Sequence, residues 1–180
     1  MRVNKKMNKR FRADVEKNLF RIPIILDKDT YNWFHNLSIS MKISGGYKLP
    51  KSYIIRSLVN TVMRLNVNLK NIKTEADLEK RVLQSLINSR RSYRSKQDLP
   101  NKNQNNNLVV NVGINRKQII FLDKIAREMR FSGGKKPSRS SILNTFIKIA
   151  ILLKPDMSGI RSERGSEERF LQSFRNATKN

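Results

Sequence analysis

An internal repeat is the feature of this sequence that most restricts its fold. Ser44-Gly45-Gly46 recurs 88 positions later as Ser132-Gly133-Gly134, and the same offset holds without a gap from residue 20 to the C-terminus. About 16 of the 73 aligned positions are identical, including the Leu-Gln-Ser that follows Val82 and Phe170. A repeat of this length indicates one supersecondary unit present twice, and we expect neither copy to bury its apolar surface alone.

Each copy opens with a stretch in which apolar residues occupy alternate positions. This period of two is typical of a half-buried strand. Pro23 lies inside the first stretch and has no N–H for a ladder, so it requires an edge position. We therefore expect a two-stranded ribbon and no wide sheet. The alternating residues are Phe20, Ile22, Ile24 and Leu26 in the first copy and Leu108, Val110, Val112 and Ile114 in the second.

An amphipathic helix is predicted after each strand. It begins near Asp27 in the first copy and near Asn115 in the second, and both residue types are good N-caps. Each first helix is expected to end at its Gly-Gly pair, because glycine readily adopts the left-handed conformation that follows a helix.

A second helix is predicted in each copy from apolar residues at helical spacing. Its predicted caps are Lys51-Ser52 and Ser138-Arg139-Ser140. A third, shorter helix is expected from Thr74 to Leu86, where Thr74 and Asp77 have the spacing of a capping box, and also from Glu163 to Phe174.

These patterns predict four segments. They are a flexible basic tail over residues 1–18, a first copy with its third helix over 19–90, a polar, Asn-rich linker over 91–107, and a second copy with its third helix over 108–180.

The charge of the chain points to a polyanionic partner. It has 38 Lys plus Arg against 14 Asp plus Glu, a formal net charge of +24, and a sequence pI near 10.9. Such a charge opposes compaction unless a polyanion screens it, which favours nucleic acid or an anionic membrane surface. No apolar run approaches the roughly 20 residues that cross a bilayer, so we expect a cytoplasmic protein without a membrane partner.

Composition also argues against catalysis. The chain has no cysteine and one histidine, His35, which excludes zinc fingers and thiolate metal sites. No Ser/His/Asp set or phosphate-cradling glycine loop is present, so we expect neither enzymatic activity nor a cofactor.

The two copies of the repeat resemble the ribbon-helix-helix family, which includes the Arc and MetJ repressors. The resemblance covers roughly residues 20–65 and 108–153. It rests on a short alternating strand, an amphipathic helix, a Gly-containing turn and a basic, hydroxylated helix start such as Ser138-Arg139-Ser140. The fused arrangement resembles TraY-like conjugation proteins.

This resemblance implies a mainly α fold with a short two-stranded antiparallel β-ribbon. The tandem ribbon-helix-helix repeats would form an intramolecular pseudo-dimer, although pairing between chains remains an alternative. It further implies that the ribbon enters the major groove of double-stranded DNA.

Two sets of DNA contacts follow from the resemblance. The predicted base contacts are Arg21 to guanine, Asn111 to adenine, and Ile25 and Val109 to thymine methyl groups. The alternative is that Arg21 and Asn111 are merely solvated strand residues. The predicted phosphate contacts flank the start of each second helix, whose dipole favours an anion. They are Lys48, Lys51, Ser52, Lys135, Lys136, Ser138, Arg139 and Ser140.

The basic tail is expected to act as an arm on DNA, adding nonspecific phosphate or minor-groove contacts. Its alternative role is a docking segment for a partner ATPase. Its cations are Arg2, Lys5, Lys6, Lys9, Arg10 and Arg12.

Three biological roles remain open. The first is a transcriptional repressor of a plasmid or mobile element, associated with nucleoid or plasmid DNA. The second is an accessory DNA-binding protein of conjugation (the relaxosome) or partition, partnered by a relaxase or a ParA-like ATPase. The third is an RNA-binding or ribosome-associated basic protein. Several molecules could also associate side by side on DNA.

Overall fold

The computed structural model describes residues 19–87 and 107–176, which we call the first half and the second half. Within these ranges the chain is mainly helical, with six helices and one two-stranded antiparallel sheet, which confirms the expected class in its coarse form. The elements of the first half are β1 (Phe20–Leu26), α1 (Lys28–Ile43), α2 (Lys51–Arg64) and α3 (Glu75–Ile87). Those of the second half are β2 (Leu108–Ile114), α4 (Arg116–Phe131), α5 (Arg139–Leu153) and α6 (Glu163–Asn176).

The two strands pair along their full length. Phe20 lies opposite Ile114 at one end and Leu26 lies opposite Leu108 at the other. Alternation turns one face inward, as predicted, but Phe20 and Leu108, the first alternating residue of each strand, are exposed. The buried residues of that face are Ile22, Ile24, Leu26, Val112 and Ile114.

Capping chemistry sets the limits of the first helix in each half. The Asp27 side chain accepts a hydrogen bond from the backbone N–H three residues later, at 2.7 Å. Asn115 and Gln118 form a complete capping box, with both bonds at 3.0 Å. After each helix, Gly45 (φ +80°) and Gly133 (φ +84°) occupy the left-handed region. The predicted beginnings and ends are therefore confirmed.

The second helices lie at the centre of the core. The prediction of Ser138 as the cap of α5 is confirmed, since its hydroxyl accepts from the backbone N–H of Ser141 at 3.0 Å. The prediction of Lys51-Ser52 as the cap of α2 is wrong. Pro50 occupies that position without a side-chain cap. Its φ of −59° and ψ of 146° orient its carbonyl to accept the first helical hydrogen bonds, from Tyr53 and Ile54.

The third helices pack on the opposite half. The predicted capping box of α3 is present, with Thr74 and Asp77 exchanging hydrogen bonds of 2.9 and 3.1 Å. α6 packs on α2, and α3 packs on α5. The glycine turn of the first half also contacts the opposite half. The backbone N–H of Tyr47, just after Gly46, donates to the carbonyl of Ile160 at 2.8 Å.

The buried side chains of both halves form one cluster, in which Phe34, Phe146 and Phe170 are among the largest fully buried groups. The predicted basic tail and the predicted linker up to residue 106 lie outside the described residues. No helix in the described ranges is long and apolar enough to cross a membrane.

Candidate nucleic-acid interface

The outward side of the sheet gathers all four residues predicted to contact bases. We call its six residues the ribbon face. The register sets them in three opposed pairs, and all but Gly113 are classed as exposed. The pairs are Arg21 with Gly113, Pro23 with Asn111, and Ile25 with Val109.

Side chains of the second helices hold the outer edges of the ribbon. The Ser140 hydroxyl, on α5, donates to the Pro23 carbonyl at 2.7 Å, and Asn144 one turn later donates to the Ile25 carbonyl at 3.4 Å. On the other edge, Arg56 of α2 donates to the Gly113 carbonyl at 3.3 Å. These bonds fix each second helix, and the start of α5 in particular, beside a strand of the ribbon face.

The same bonds show why proline is accepted in β1. In an antiparallel pair, the N–H and C=O of one residue point to the same side of the strand. The Pro23 carbonyl accepts from α5 and therefore faces away from β2. An N–H at this position would face the same way, so the ladder loses no hydrogen bond.

The start of α5 forms a basic cleft with α4. Arg139 donates two hydrogen bonds to the carboxylate of Asp123, at 2.7 and 2.8 Å. Lys136 and Arg127 complete the charged lining of this cleft, which measures roughly 370 Å³, and Ile120 adds an apolar wall. Three cations therefore surround a single carboxylate.

The cations of this cleft lower the pKa of the Asp123 carboxylate. The pKa of Asp123 lies below its ordinary value of 3.8, first because Arg139 donates hydrogen bonds to it. Partial burial opposes this shift, while the charges of Arg139, Lys136 and Arg127 add to it. Asp123 is therefore ionised at neutral pH and offsets one of the three cations. The cleft retains a positive charge that suits a phosphate group.

The start of α2 is basic in a different way. Lys51 places its ammonium 4.0 Å from the centroid of the Tyr31 ring, and Lys48 is exposed. His35 stands at the position equivalent to Asp123 and is also exposed. The two helix starts are thus chemically unequal.

The predicted phosphate-contacting residues divide into two groups. Ser138, Arg139 and Ser140 already bond to protein partners in the structure. Ser52 is half-buried in the first turn of α2. Of the remaining cations in the set, Lys48, Lys135 and Lys136 are exposed and Lys51 is half-buried.

Sequence reasoning missed Arg127, Arg56 and Asn144. Arg127 follows Asp123 by four positions, which places both on one face of a helix, and this spacing was available as a signal. Arg56 and Asn144 are related by the repeat offset of 88, but they differ in type, so nothing local marked them. The six cations of the predicted basic tail lie outside the described residues.

Comparison with models of known protein families, with curated proteins and with solved structures gives no match. Among the residues that the structure describes, no group of three or more His, Cys, Asp or Glu side chains could hold a metal ion.

Proposed function

We propose that this protein binds double-stranded DNA by inserting the β1–β2 ribbon into the major groove, with the second-helix starts contacting the flanking phosphates. The observation that carries the proposal is the exposed ribbon face of a two-stranded sheet, held by hydrogen bonds against a basic helix start. A two-stranded ribbon fits the major groove, where outward side chains reach base edges.

The charge distribution supports the same function. Lys48 precedes α2, while Lys135 and Lys136 precede α5, so exposed cations stand before both second helices. Backbone N–H groups at a helix start favour an anion at the same place. Ser140 joins the α5 start directly to the ribbon edge. Base contacts and phosphate contacts would therefore form in one docking event.

We further propose that the halves are tandem ribbon-helix-helix repeats that pair within one chain. Contacts related by the offset of 88 support this arrangement. Arg56 donates to the Gly113 carbonyl, and the equivalent Asn144 donates to the equivalent Ile25 carbonyl. Glu163 bonds to Arg56 on the opposite half, and the equivalent Glu75 bonds to Ser141 on the opposite half. Tandem repeats paired in this way would have an approximate twofold axis through the centre of the ribbon.

The biological role that we propose first is repression of a promoter on a plasmid or other mobile element. Footprinting on DNA from the protein's own locus tests this role. Protection over a promoter supports repression, whereas protection over a transfer origin or a partition site supports the accessory role instead.

Competition at several salt concentrations tests the binding class. The full chain should bind duplex DNA in preference to RNA of the same sequence. The logarithm of the binding constant should fall linearly with the logarithm of salt, by about 0.9 for each phosphate neutralised. Preference for RNA would contradict the proposal.

Substitution of the ribbon face tests the mode of binding. Arg21→Ala and Asn111→Ala should each reduce discrimination between the preferred site and random duplex by about 1–3 kcal/mol. Arg164→Ala is the control, because this arginine is 87% exposed and lies on α6. Neutralising Lys135 and Lys136 should lower the salt dependence without changing site preference. Unchanged footprints in both ribbon variants would refute the assignment.

A further inference from the structure

One end of the ribbon face is apolar. Ile25 and Val109 lie directly opposite each other, with 57% and 64% of their surface exposed. Both are β-branched aliphatic residues on the side of the sheet turned away from the core. The Ile25 backbone is held by Asn144, so the pair occupies a defined place on the ribbon.

The major groove offers few partners to such a pair. Its edges carry hydrogen-bond donors and acceptors on every base pair, and the one apolar group is the C5 methyl of thymine. Burying aliphatic groups against polar edges would leave those edges without their water and without a new partner. An apolar pair in the groove therefore favours thymine methyl groups.

The other end of the ribbon face carries its one cation, the exposed Arg21. Arg21 lies opposite Gly113, which has no side chain. The Leu19 side chain fills the space that a side chain at Gly113 would take. Arg21 itself is exposed, and an arginine in the groove can donate two hydrogen bonds to guanine O6 and N7. Between the ends, Asn111 lies opposite Pro23.

From this arrangement we infer that the ribbon reads a site of fixed polarity. The Ile25–Val109 pair contacts thymine methyl groups at one end, and Arg21 contacts a guanine at the other. Arg21 and Ile25 are four residue steps apart along β1, or about 13 Å at roughly 3.3 Å per residue, which matches about four base-pair steps. The preferred duplex is therefore not palindromic, and the chain binds it in one orientation. This inference rests on the proposed function.

The test begins with a duplex library carrying a randomised central segment, from which the full chain selects its preferred site. The enriched site is then synthesised with deoxyuridine replacing thymidine at single positions, which removes a methyl group but preserves base pairing. We expect affinity to fall about fourfold for each contacted methyl, the size of one methyl-sized apolar contact. The sensitive positions should cluster about four base pairs from an essential guanine.

Protein variants test which residues contact the thymine methyl groups. Val109→Thr and Ile25→Thr keep the β-branched shape that a strand favours but present a hydroxyl in place of an alkyl group. Each should show a smaller affinity difference between thymidine and deoxyuridine duplexes than wild type. Some sensitivity should remain, because threonine keeps one methyl group and the other residue of the pair is unchanged. Ile43→Thr is the matched control, because Ile43 is 80% exposed at the end of α1 and lies off the ribbon. It should retain the full sensitivity.

The outcomes separate this inference from the proposed function. If the chain selects a duplex site but is indifferent to deoxyuridine everywhere, the apolar reading is wrong while DNA binding stands. Selection of a palindromic site would contradict the inference that the preferred duplex has a fixed polarity. Undiminished methyl sensitivity in both threonine variants would assign the contact to other residues. If no duplex is bound at all, the proposed function fails first.

Discussion

Removal of the carboxylate of Glu163 should destabilise the fold more than any other single surface charge change in α6. Glu163 accepts two hydrogen bonds from Arg56, at 2.6 and 2.5 Å, and joins α6 to α2. The Arg56 side chain is only 5% exposed. Its guanidinium carbon lies 4.4 Å from the centroid of the Tyr53 ring. Burial by itself lowers the pKa of Arg56, but the hydrogen bonds and charge of Glu163 outweigh it, so that the pKa lies above its ordinary value. The guanidinium therefore stays charged at any pH of interest.

In Glu163→Gln this buried charge loses its counter-ion. Breaking a fully buried pair from one side costs about 3–5 kcal/mol. Glu163 is 23% exposed and glutamine retains one acceptor oxygen, so we expect about 2–3 kcal/mol. That loss corresponds to a roughly 30- to 150-fold fall in the ratio of folded to unfolded protein.

Urea unfolding followed by far-ultraviolet circular dichroism measures this loss. Glu168→Gln is the control, since it removes the same charge from the same helix but breaks an exposed pair, with 87% and 60% of the two side chains accessible. We expect the control to lose about 0.3–0.5 kcal/mol. Adding Arg56→Met to Glu163→Gln should recover most of the loss, because no unpaired charge then remains buried. Equal losses for the two glutamine variants would refute the reasoning.

The other predictions concern the glycine turns and Asp123. Gly46→Ala and Gly134→Ala should each destabilise by about 3 kcal/mol in urea unfolding, because the added methyl overlaps the backbone carbonyl of Ile160 or Lys73. Gly45→Ala has open space around it and should lose only about 1 kcal/mol, from its positive φ; a larger loss there would contradict the distinction. Asp123→Asn frees Arg139 and should strengthen duplex binding and steepen its salt dependence by about 0.9. Asp156→Asn is the control, because it makes the same charge change in the loop between α5 and α6, and it should leave both quantities unchanged. Because the folded state lowers the pKa of Asp123, its contribution to stability is present above about pH 4 and is lost as the pH falls further, so wild type should lose more stability on acidification than Asp123→Asn.

The elements and their limits were largely predictable because they depend on local chemistry. Alternation placed Arg21 and Asn111 on the exposed side of the strands, and helical spacing with capping residues located the helices. Pro50 is the exception at a helix start. A rule for side-chain caps favours Ser52, whereas the fixed φ of proline and its free carbonyl cap this helix without a side chain.

The contacts of the candidate site were much less predictable. Arg139 was expected to meet phosphate, and the structure pairs it with Asp123 sixteen positions earlier. Ser140 reaches Pro23 across 117 positions, and Arg56 reaches Glu163 across 107. No short stretch of the sequence contains both partners of either long-range contact.

By itself, the sequence determined that two similar units exist, where their strands and helices lie, and which strand residues turn away from the core. Periods of two and 3.6 follow from backbone geometry, so they are visible in any short stretch. Only the tertiary structure decided that Ile25 faces Val109, that each third helix packs on the opposite half, and which carboxylate offsets which arginine. These depend on the register and packing of segments far apart in the chain, because packing sets the distance and burial that decide which of the many chemically possible pairs form.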